Sequence, residues 1–191
     1  MLLDKLEQPA RLAELAPAET LAGLGLAPGA GFCDIGAGSG IFTFAALTLG
    51  AAPVYAVDTS AEMRAILHTK RAALAGAPLQ ITEHSYEVPA QSCALVLFCT
   101  VLHEVSSVHE MLKEALRILA PGGRLAVIEF YSGQTPFGPP AAHRIGREAL
   151  AAEAGKSGFS QLKSWPLGPN FYCALFEPLP QTGSADIVEK T

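Results

Sequence analysis

The stretch Phe32-Cys33-Asp34-Ile35-Gly36-Ala37-Gly38-Ser39-Gly40 decides how this chain folds. A short apolar run ends near an acidic residue, three glycines follow at alternate positions, and residues 41–47 suit a helix. The pattern predicts a strand, a tight turn and a helix. Alternate glycines permit positive φ and let a ligand approach bare backbone, and a helix start offers unpaired N–H groups beside it. We therefore expect a nucleotide-type cofactor site.

Strands and helices alternate along the rest of the chain. The sequence predicts strands at 53–57, 79–82, 94–99 and 124–131, and helices at 39–49, 60–74, 107–119 and 145–154. Weaker strands are expected near 160–165 and 171–176. This alternation predicts a parallel sheet with helices on both faces and a ligand crevice at the carboxyl ends of the strands.

One main domain is expected, spanning residues 29–177. Residues 1–28 predict two short helices broken by Pro9 and Pro17, and residues 178–191 a loosely ordered tail. From 35 to 57 there is no charge, but Gly50 and Pro53 interrupt this stretch, so it predicts a helix, a loop and a strand and not a membrane span. The N-terminus lacks the pattern of a signal peptide, and we expect a cytoplasmic protein.

The composition argues against several classes of protein and of binding partner. Half of the residues are hydrophobic and 16% are charged, which excludes disorder as the main state. The net charge is -5 and there is no cluster of Lys and Arg, which argues against nucleic acid as a partner. The four cysteines are scattered, without a CxxC pair or metal-ligand spacing, so we expect buried reduced thiols and no metal site.

Two carboxylates indicate which cofactor binds. A dinucleotide fingerprint would place a third glycine at position 41, where the chain has Ile41. Asp34, two residues before the first glycine, would repel a pyrophosphate and suits a cationic ligand. Asp58 lies 22 residues after Gly36, at the end of the second predicted strand, where a carboxylate can accept hydrogen bonds from ribose hydroxyls.

In order and spacing, these motifs resemble those of class I S-adenosylmethionine-dependent methyltransferases, in the small-molecule, quinone-methylase-like branch. Residues 34–40 resemble the first motif of that family and residues 57–63 the second. Residues 102–105 and 117–125 resemble its block around strands four and five. The resemblance runs from about 31 to 130 and implies a Rossmann-like seven-stranded sheet, order 3-2-1-4-5-7-6, with strand seven antiparallel.

The resemblance also implies a cofactor site. It assigns S-adenosylmethionine to Asp34, Gly36, Ala37, Gly38, Ser39, Asp58, Thr59, Met63, His84, Ser85, Cys99 and Thr100. The chain departs from the family pattern in two places. The acid usual after strand three has no counterpart in 83–86 unless Glu83 serves from a shifted position, and the acid usual at the start of strand four is Ala94.

Methyl transfer from a sulfonium needs alignment with the nucleophile and no metal, and it needs a base only when the acceptor must lose a proton. His103 and Glu104 are the candidates for catalysis. Predicted substrate contacts are His103, Glu129, Tyr131, His143 and Arg144, the last two in a Pro/Gly-rich loop. Alternatively, His103 orients a loop, Glu104 caps the next helix and Arg144 pairs locally.

The sequence therefore predicts a methyltransferase acting on a small molecule. Two alternatives remain. An NAD-dependent oxidoreductase would use the same sheet, although the chain lacks the third glycine and a Tyr-x-x-x-Lys pair. A module that binds S-adenosylmethionine without catalysis would keep the same cofactor motifs.

Overall fold

The computed structural model describes residues 5–180. Two short helices, α1 (Pro9–Leu15) and α2 (Pro17–Gly23), precede the sheet. Each proline lies at the start of its helix, where its missing N–H costs no intrahelical hydrogen bond. Helices are present in this segment as expected, but Pro9 and Pro17 begin them, and the break between the two lies at Ala16. Leu15 and Leu21 are fully buried, so these helices pack onto the main core.

Seven strands form one sheet. They are β1 (Phe32–Ile35), β2 (Val54–Val57), β3 (Leu79–Thr82), β4 (Cys93–Cys99), β5 (Leu119–Phe130), β6 (Phe159–Leu167) and β7 (Phe171–Pro178). Their order is β3-β2-β1-β4-β5-β7-β6, and only β7 runs antiparallel to its neighbours. The predicted fold class and strand order are confirmed. The division into 1–28, 29–177 and 178–191 stays a prediction, and residues 181–191 lie outside the described part of the chain.

Helices cover both faces of the sheet. They are α3 (Ile41–Thr48), α4 (Ala61–Ala72), α5 (Val108–Ile118) and α6 (Arg147–Lys156). Leucine and phenylalanine side chains of α1 to α4 share one core cluster, and those of α5 and α6 share the other. The winding direction thus reverses between β1 and β4, and a reversal of this kind leaves a crevice at the carboxyl ends of the two strands.

Several boundaries differ from the sequence prediction, and three of the differences lie at or beside glycines. Helix α3 begins at Ile41 and not Ser39, because Gly40 has a φ of +85° that a helix cannot continue. Helix α6 runs past Gly155 to Lys156, and the left-handed residue that follows it is Gly158, with a φ of +95°. Strand β5 begins at Leu119, which pairs with Cys93 of β4. Residues 121–123 form an irregularity in the strand, and regular pairing with β4 resumes at Arg124.

Two further expectations concern the cysteines and a possible membrane span. All four cysteines are buried and free, as predicted. Between residues 5 and 180, no helix has both the length and the apolar character needed to cross a membrane.

Candidate active site

A cleft of about 1060 Å³ opens where the carboxyl ends of β1 and β4 meet. Its size suits a cofactor together with a second small molecule, since typical ligand sites span about 300–1,000 Å³. Every residue predicted to bind the cofactor lines this cleft: Asp34, Gly36, Ala37, Gly38, Ser39, Asp58, Thr59, Met63, His84, Ser85, Cys99 and Thr100. Their individual roles stay predictions.

The N–H groups of the glycine turn are already hydrogen-bonded within the protein. Gly36 and Ala37 both donate to the Val57 carbonyl, at 2.8 and 3.0 Å, and Gly38 donates to Oδ2 of Asp58 at 2.7 Å. A pyrophosphate site needs such N–H groups free to face the ligand. The turn therefore presents bare backbone and flanking carboxylates to the cleft, which argues against a dinucleotide.

Asp58 follows β2 and keeps acceptor capacity in the cleft. Its Oδ1 accepts a hydrogen bond from the N–H of Ser60 at 2.9 Å, and its Oδ2 accepts the bond from Gly38. An ionised carboxylate has about four lone-pair positions, so about two are left. These fit the adjacent hydroxyls of a ribose.

Asp34 is a buried carboxyl group at the base of the cleft, with only 2% of its surface exposed. Its Oδ2 accepts a hydrogen bond from Oγ1 of Thr43 at 2.6 Å. Burial raises the pKa of Asp34 to about 6, the hydrogen bonds from Thr43 lower it, and the charge of Asp58 raises it. A carboxylate in such a place gains from a nearby cation, and the ammonium of an amino-acid cofactor fits this requirement.

His103 and Glu129 form a buried pair beside the cofactor residues. Nδ1 of His103 lies 2.8 Å from Oε2 of Glu129, and the two side chains are 5% and 0% exposed. Because a carboxylate only accepts, Nδ1 carries the proton and Nε2 is left as a base. Burial opposes protonation, but the hydrogen bond and charge of Glu129 outweigh it and raise the pKa of His103.

Of the other predicted catalytic and substrate residues, only Glu104 lines the cleft. Glu104 is 76% exposed at the mouth of the cleft, with Oε1 3.6 Å from Nε2 of His103. Glu129 lies behind His103 and does not line the cleft, and neither do Tyr131, His143 or Arg144. The structure thus brings Glu129 to the base and leaves the remaining three outside the cleft.

Arg144 holds the loop after β5. Its guanidinium donates to the carbonyls of Pro139 at 2.8 Å, Tyr131 at 3.0 Å and Gly133 at 2.6 Å. Its Cζ also lies 5.4 Å from the centre of the Phe130 ring. This is the local pairing that the sequence left open as an alternative to substrate binding.

An apolar wall next to His103 was only partly expected. The Pro/Gly loop brings Phe137, Gly138 and Pro139 to the cleft, and Phe130 faces them. The Phe130 and Phe137 rings meet edge-on with centres 6.3 Å apart. The sequence placed this Pro/Gly-rich loop near the substrate, but the pairing of Phe137 with Phe130 became visible only in the tertiary structure.

The opposite rim carries the loop after β3. His84 stacks on Tyr86 with ring centres 4.9 Å apart. Glu83 lines the cleft and forms an ion pair with Arg64 at 2.9 Å. The acid in this loop therefore does reach the rim, and an adenine contact from it stays a prediction.

The sequence analysis did not place the N-terminal segment at the site. Lys5, Leu6, Gln8 and Arg11 line the cleft. Glu7 is tied to Lys70 by an ion pair at 2.6 Å, and Lys70 also donates to the carbonyl of Ser39 at 2.8 Å. The only available signal was an arginine among the apolar positions of α1.

Comparisons with known proteins agree with this geometry. Residues 33–127 match the family model described as a methyltransferase domain. Over 107 residues, the chain is 34% identical to the demethylmenaquinone methyltransferase of Tropheryma whipplei. This match covers 56% of the chain and 44% of the relative, so the chain aligns with less than half of that protein's length.

Two solved structures share the fold. A SAM-dependent methyltransferase from Aquifex aeolicus superposes with a TM-score of 0.84, 21% identity, and coverage of 92% of this chain and 96% of that one. The second is the Burkholderia thailandensis 1,6-didemethyltoxoflavin-N1-methyltransferase, solved with 1,6-didemethyltoxoflavin and S-adenosylhomocysteine bound. It superposes with a TM-score of 0.71 and 22% identity, and the match covers 93% of this chain and 83% of that one.

Proposed function

Because residues 33–127 form a class I S-adenosylmethionine-dependent methyltransferase domain, we propose that this protein methylates a small apolar molecule that carries an ionisable hydroxyl. The observation that carries the proposal is a single cleft that is lined by the carboxylates of Asp34 and Asp58 and by His103, whose ring is held from behind by Glu129. The carboxylates suit the donor and the pair suits an acceptor that must lose a proton.

Each side chain has a distinct task in this proposal. Asp34 binds the cationic amino-acid end of the cofactor, and Asp58 binds its ribose. When bound, S-adenosylmethionine supplies a methyl group on a sulfonium and leaves as a neutral thioether. Glu129 keeps the proton on Nδ1 of His103, so that Nε2 takes the proton of the acceptor as its oxygen, or the carbon activated by it, attacks the methyl group in line.

The chemistry of the acceptor follows from the wall around His103. Val105, Met111, Phe130, Phe137 and Pro139 line the same cleft as the base, and the Phe130 ring lies edge-on to that of His103 with centres 5.8 Å apart. Such a surface suits a flat, uncharged ring. The relative named demethylmenaquinone methyltransferase supports a reduced quinone as the kind of acceptor. The net charge of -5 favours a small molecule over nucleic acid.

The test uses S-adenosylmethionine labelled in its methyl group and a panel of acceptors: a reduced naphthoquinone, a catechol, a primary amine and a thiol. We expect label in the quinol or the catechol. His103→Asn should lower the rate about 10²- to 10⁴-fold and leave S-adenosylhomocysteine affinity within about twofold. His68→Asn, an exposed histidine outside the cleft, should match wild type.

Other results would point to other functions. Label only in the amine or thiol would contradict the proposed acceptor. Tight binding of S-adenosylhomocysteine with no transfer to any acceptor in a metabolite extract would favour the non-catalytic module. Binding of NADH in place of S-adenosylhomocysteine would favour the oxidoreductase.

A further inference from the structure

Glu104 places a carboxylate at the mouth of the cleft, beside the proposed base. Its Oε1 lies 3.6 Å from Nε2 of His103, and 76% of its side chain is exposed. Among residues 5–180 this carboxylate forms no other ion pair. Its charge is therefore compensated by the base alone, and only while the base is protonated.

The fold does not use Glu104 to cap the helix that follows it. Helix α5 begins at Val108, and its N-cap Ser107 accepts a hydrogen bond from the N–H of Glu110 at 3.2 Å. The sequence left a capping role open for Glu104, and Ser107 fills that role. Loops that a rigid sheet holds in place are common positions for residues that contact ligands, and Glu104 lies in such a loop, between β4 and α5.

The distance from Glu104 to the base brings its charge close to any acceptor. An acceptor must bring its hydroxyl within about 2.6–3.2 Å of Nε2 of His103. Since Oε1 of Glu104 is 3.6 Å from the same nitrogen, the reacting oxygen lies at most about 7 Å from this carboxylate. Across partly exposed space of that length, the interaction of two unit charges changes binding by about 3- to 10-fold.

The cations around the cleft are engaged elsewhere. Arg144 lies 5.4 Å from the Phe130 ring, donates to three loop carbonyls and does not line the cleft. Arg11, in α1, lines the cleft but donates to a main-chain carbonyl and to a threonine hydroxyl. Lys5 is exposed, so water screens its charge. The charge that an acceptor meets beside Nε2 is therefore that of Glu104.

We propose that Glu104 sets the charge selectivity of the acceptor site: it disfavours acceptors that carry a carboxylate near the reacting hydroxyl and favours those that are neutral there. The inference rests on the proposed function, which supplies an aromatic acceptor with a hydroxyl. Phe130 and Phe137 act in the same direction, because an ionised group loses hydration against apolar surface. Their contribution does not depend on the charge at position 104, so substitution there separates the two effects.

The experiment measures kcat/KM for two pairs of acceptors whose members differ in charge and hardly in shape. The pairs are the ring carboxamide and ring carboxylate of catechol, and the same two derivatives of a reduced naphthoquinone, each substituted next to a hydroxyl. Wild type should prefer the carboxamide of a pair, and Glu104→Gln should reduce this preference about 3- to 10-fold. Raising the ionic strength from about 0.01 M to about 1 M should reduce the preference of wild type more than that of the variant.

The ratio within a pair isolates the effect of charge, since a change in the base strength of His103 affects both members alike. Glu104→Asp keeps the charge and should keep most of the preference. Glu110→Gln is the matched control, because it removes an exposed carboxylate of α5 that does not line the cleft. The preference of this control should equal that of wild type.

An unchanged ratio in Glu104→Gln would overturn the inference, and so would a preference of wild type for the carboxylates. Methylation of unsubstituted catechol or quinol without activity on either pair would also overturn it, because size and not charge would then set the limit. If wild type methylates none of these acceptors, the proposed function fails as well.

Discussion

Nδ1 of His103 lies 2.8 Å from Oε2 of Glu129, and both side chains are almost completely shielded from solvent. The main-chain N–H of His103 also donates to Oε1 of Glu129 at 3.3 Å. The carboxylate therefore fixes both the backbone and the ring of His103. A histidine held in this way presents one defined nitrogen, Nε2, to the cleft, which is the requirement for a general base.

The pH dependence of methyl transfer should report this pair. A base must be unprotonated, so the rate should rise with pH and level off above the pKa of His103. Glu129 raises that pKa above 6.5, so the midpoint should lie above 6.5 in wild type. Glu129→Gln should move the midpoint to lower pH and lower the maximal rate about 10-fold or more. A pH–rate profile of each protein measures both effects, and an unchanged midpoint would contradict the assignment.

Asp34→Asn should raise the stability of the ligand-free protein and weaken cofactor binding. The carboxyl has a pKa of about 6 in the folded chain against 3.8 unfolded, so folding favours its protonated form. Its ionisation therefore costs stability increasingly from about pH 4 to 6, and fully above that range. The variant should gain up to about 3 kcal/mol above pH 6 and nothing below pH 4.

Urea denaturation of ligand-free Asp34→Asn at several pH values checks this. Glu62→Gln, an exposed acid in the first turn of α4, should show no such gain. The Asp34 variant should also lose most of its affinity for S-adenosylmethionine. A variant that is less stable than wild type at pH 8 would show that Asp34 serves the fold and not the ligand.

Gly36→Ala should destabilise the turn. Gly36 has a φ of +73°, and an added Cβ would lie 2.3 Å from Cγ2 of Val101. We expect a loss of about 1–3 kcal/mol or more in the free energy of unfolding. Gly23→Ala, at the end of α2 with nothing within 4 Å of the new methyl group, should be neutral or slightly stabilising. Equal denaturation midpoints for the two variants would contradict this.

Arg144→Gln should loosen the loop after β5 without affecting the cofactor. The guanidinium donates to three loop carbonyls and does not line the cleft. Proteolytic cleavage between residues 132 and 140 should become about 10-fold faster, because several hydrogen bonds to a charged group are lost. Affinity for S-adenosylhomocysteine should stay within about twofold. Arg71→Gln, an exposed arginine on α4, is the control, and cleavage of both variants at the wild-type rate would argue against this role.

The sequence predicted the sheet well because its strands are short apolar runs that end at turn residues. Strand order came with the family resemblance and agrees with the structure. Local patterns were poorer guides at glycines: Gly155 lies inside α6, whereas Gly158, with positive φ, follows it. A glycine ends a helix only where the chain turns left-handed, and the sequence does not reveal which glycine does so.

The site was predictable where ligand residues follow strand ends. Asp58 directly follows β2 and Asp34 lies near the end of β1, and both reach the cleft. Glu129 was expected to touch substrate, but it packs behind His103, because neighbouring strands β4 and β5 place their ends side by side. Arg11 reaches Thr100 across 89 positions of sequence, and no local pattern encodes a contact of that range.

Binding of S-adenosylhomocysteine to wild type and to Asp58→Asn is the most direct test of the central claim. Calorimetry of wild type should give one site per chain, and the variant should bind at least about 10-fold more weakly, because the ribose hydroxyls lose an ionised acceptor. Circular dichroism should confirm that the variant is folded, since Asp58 also accepts from Gly38 and Ser60. No binding to wild type, or equal binding to both proteins, would contradict the account.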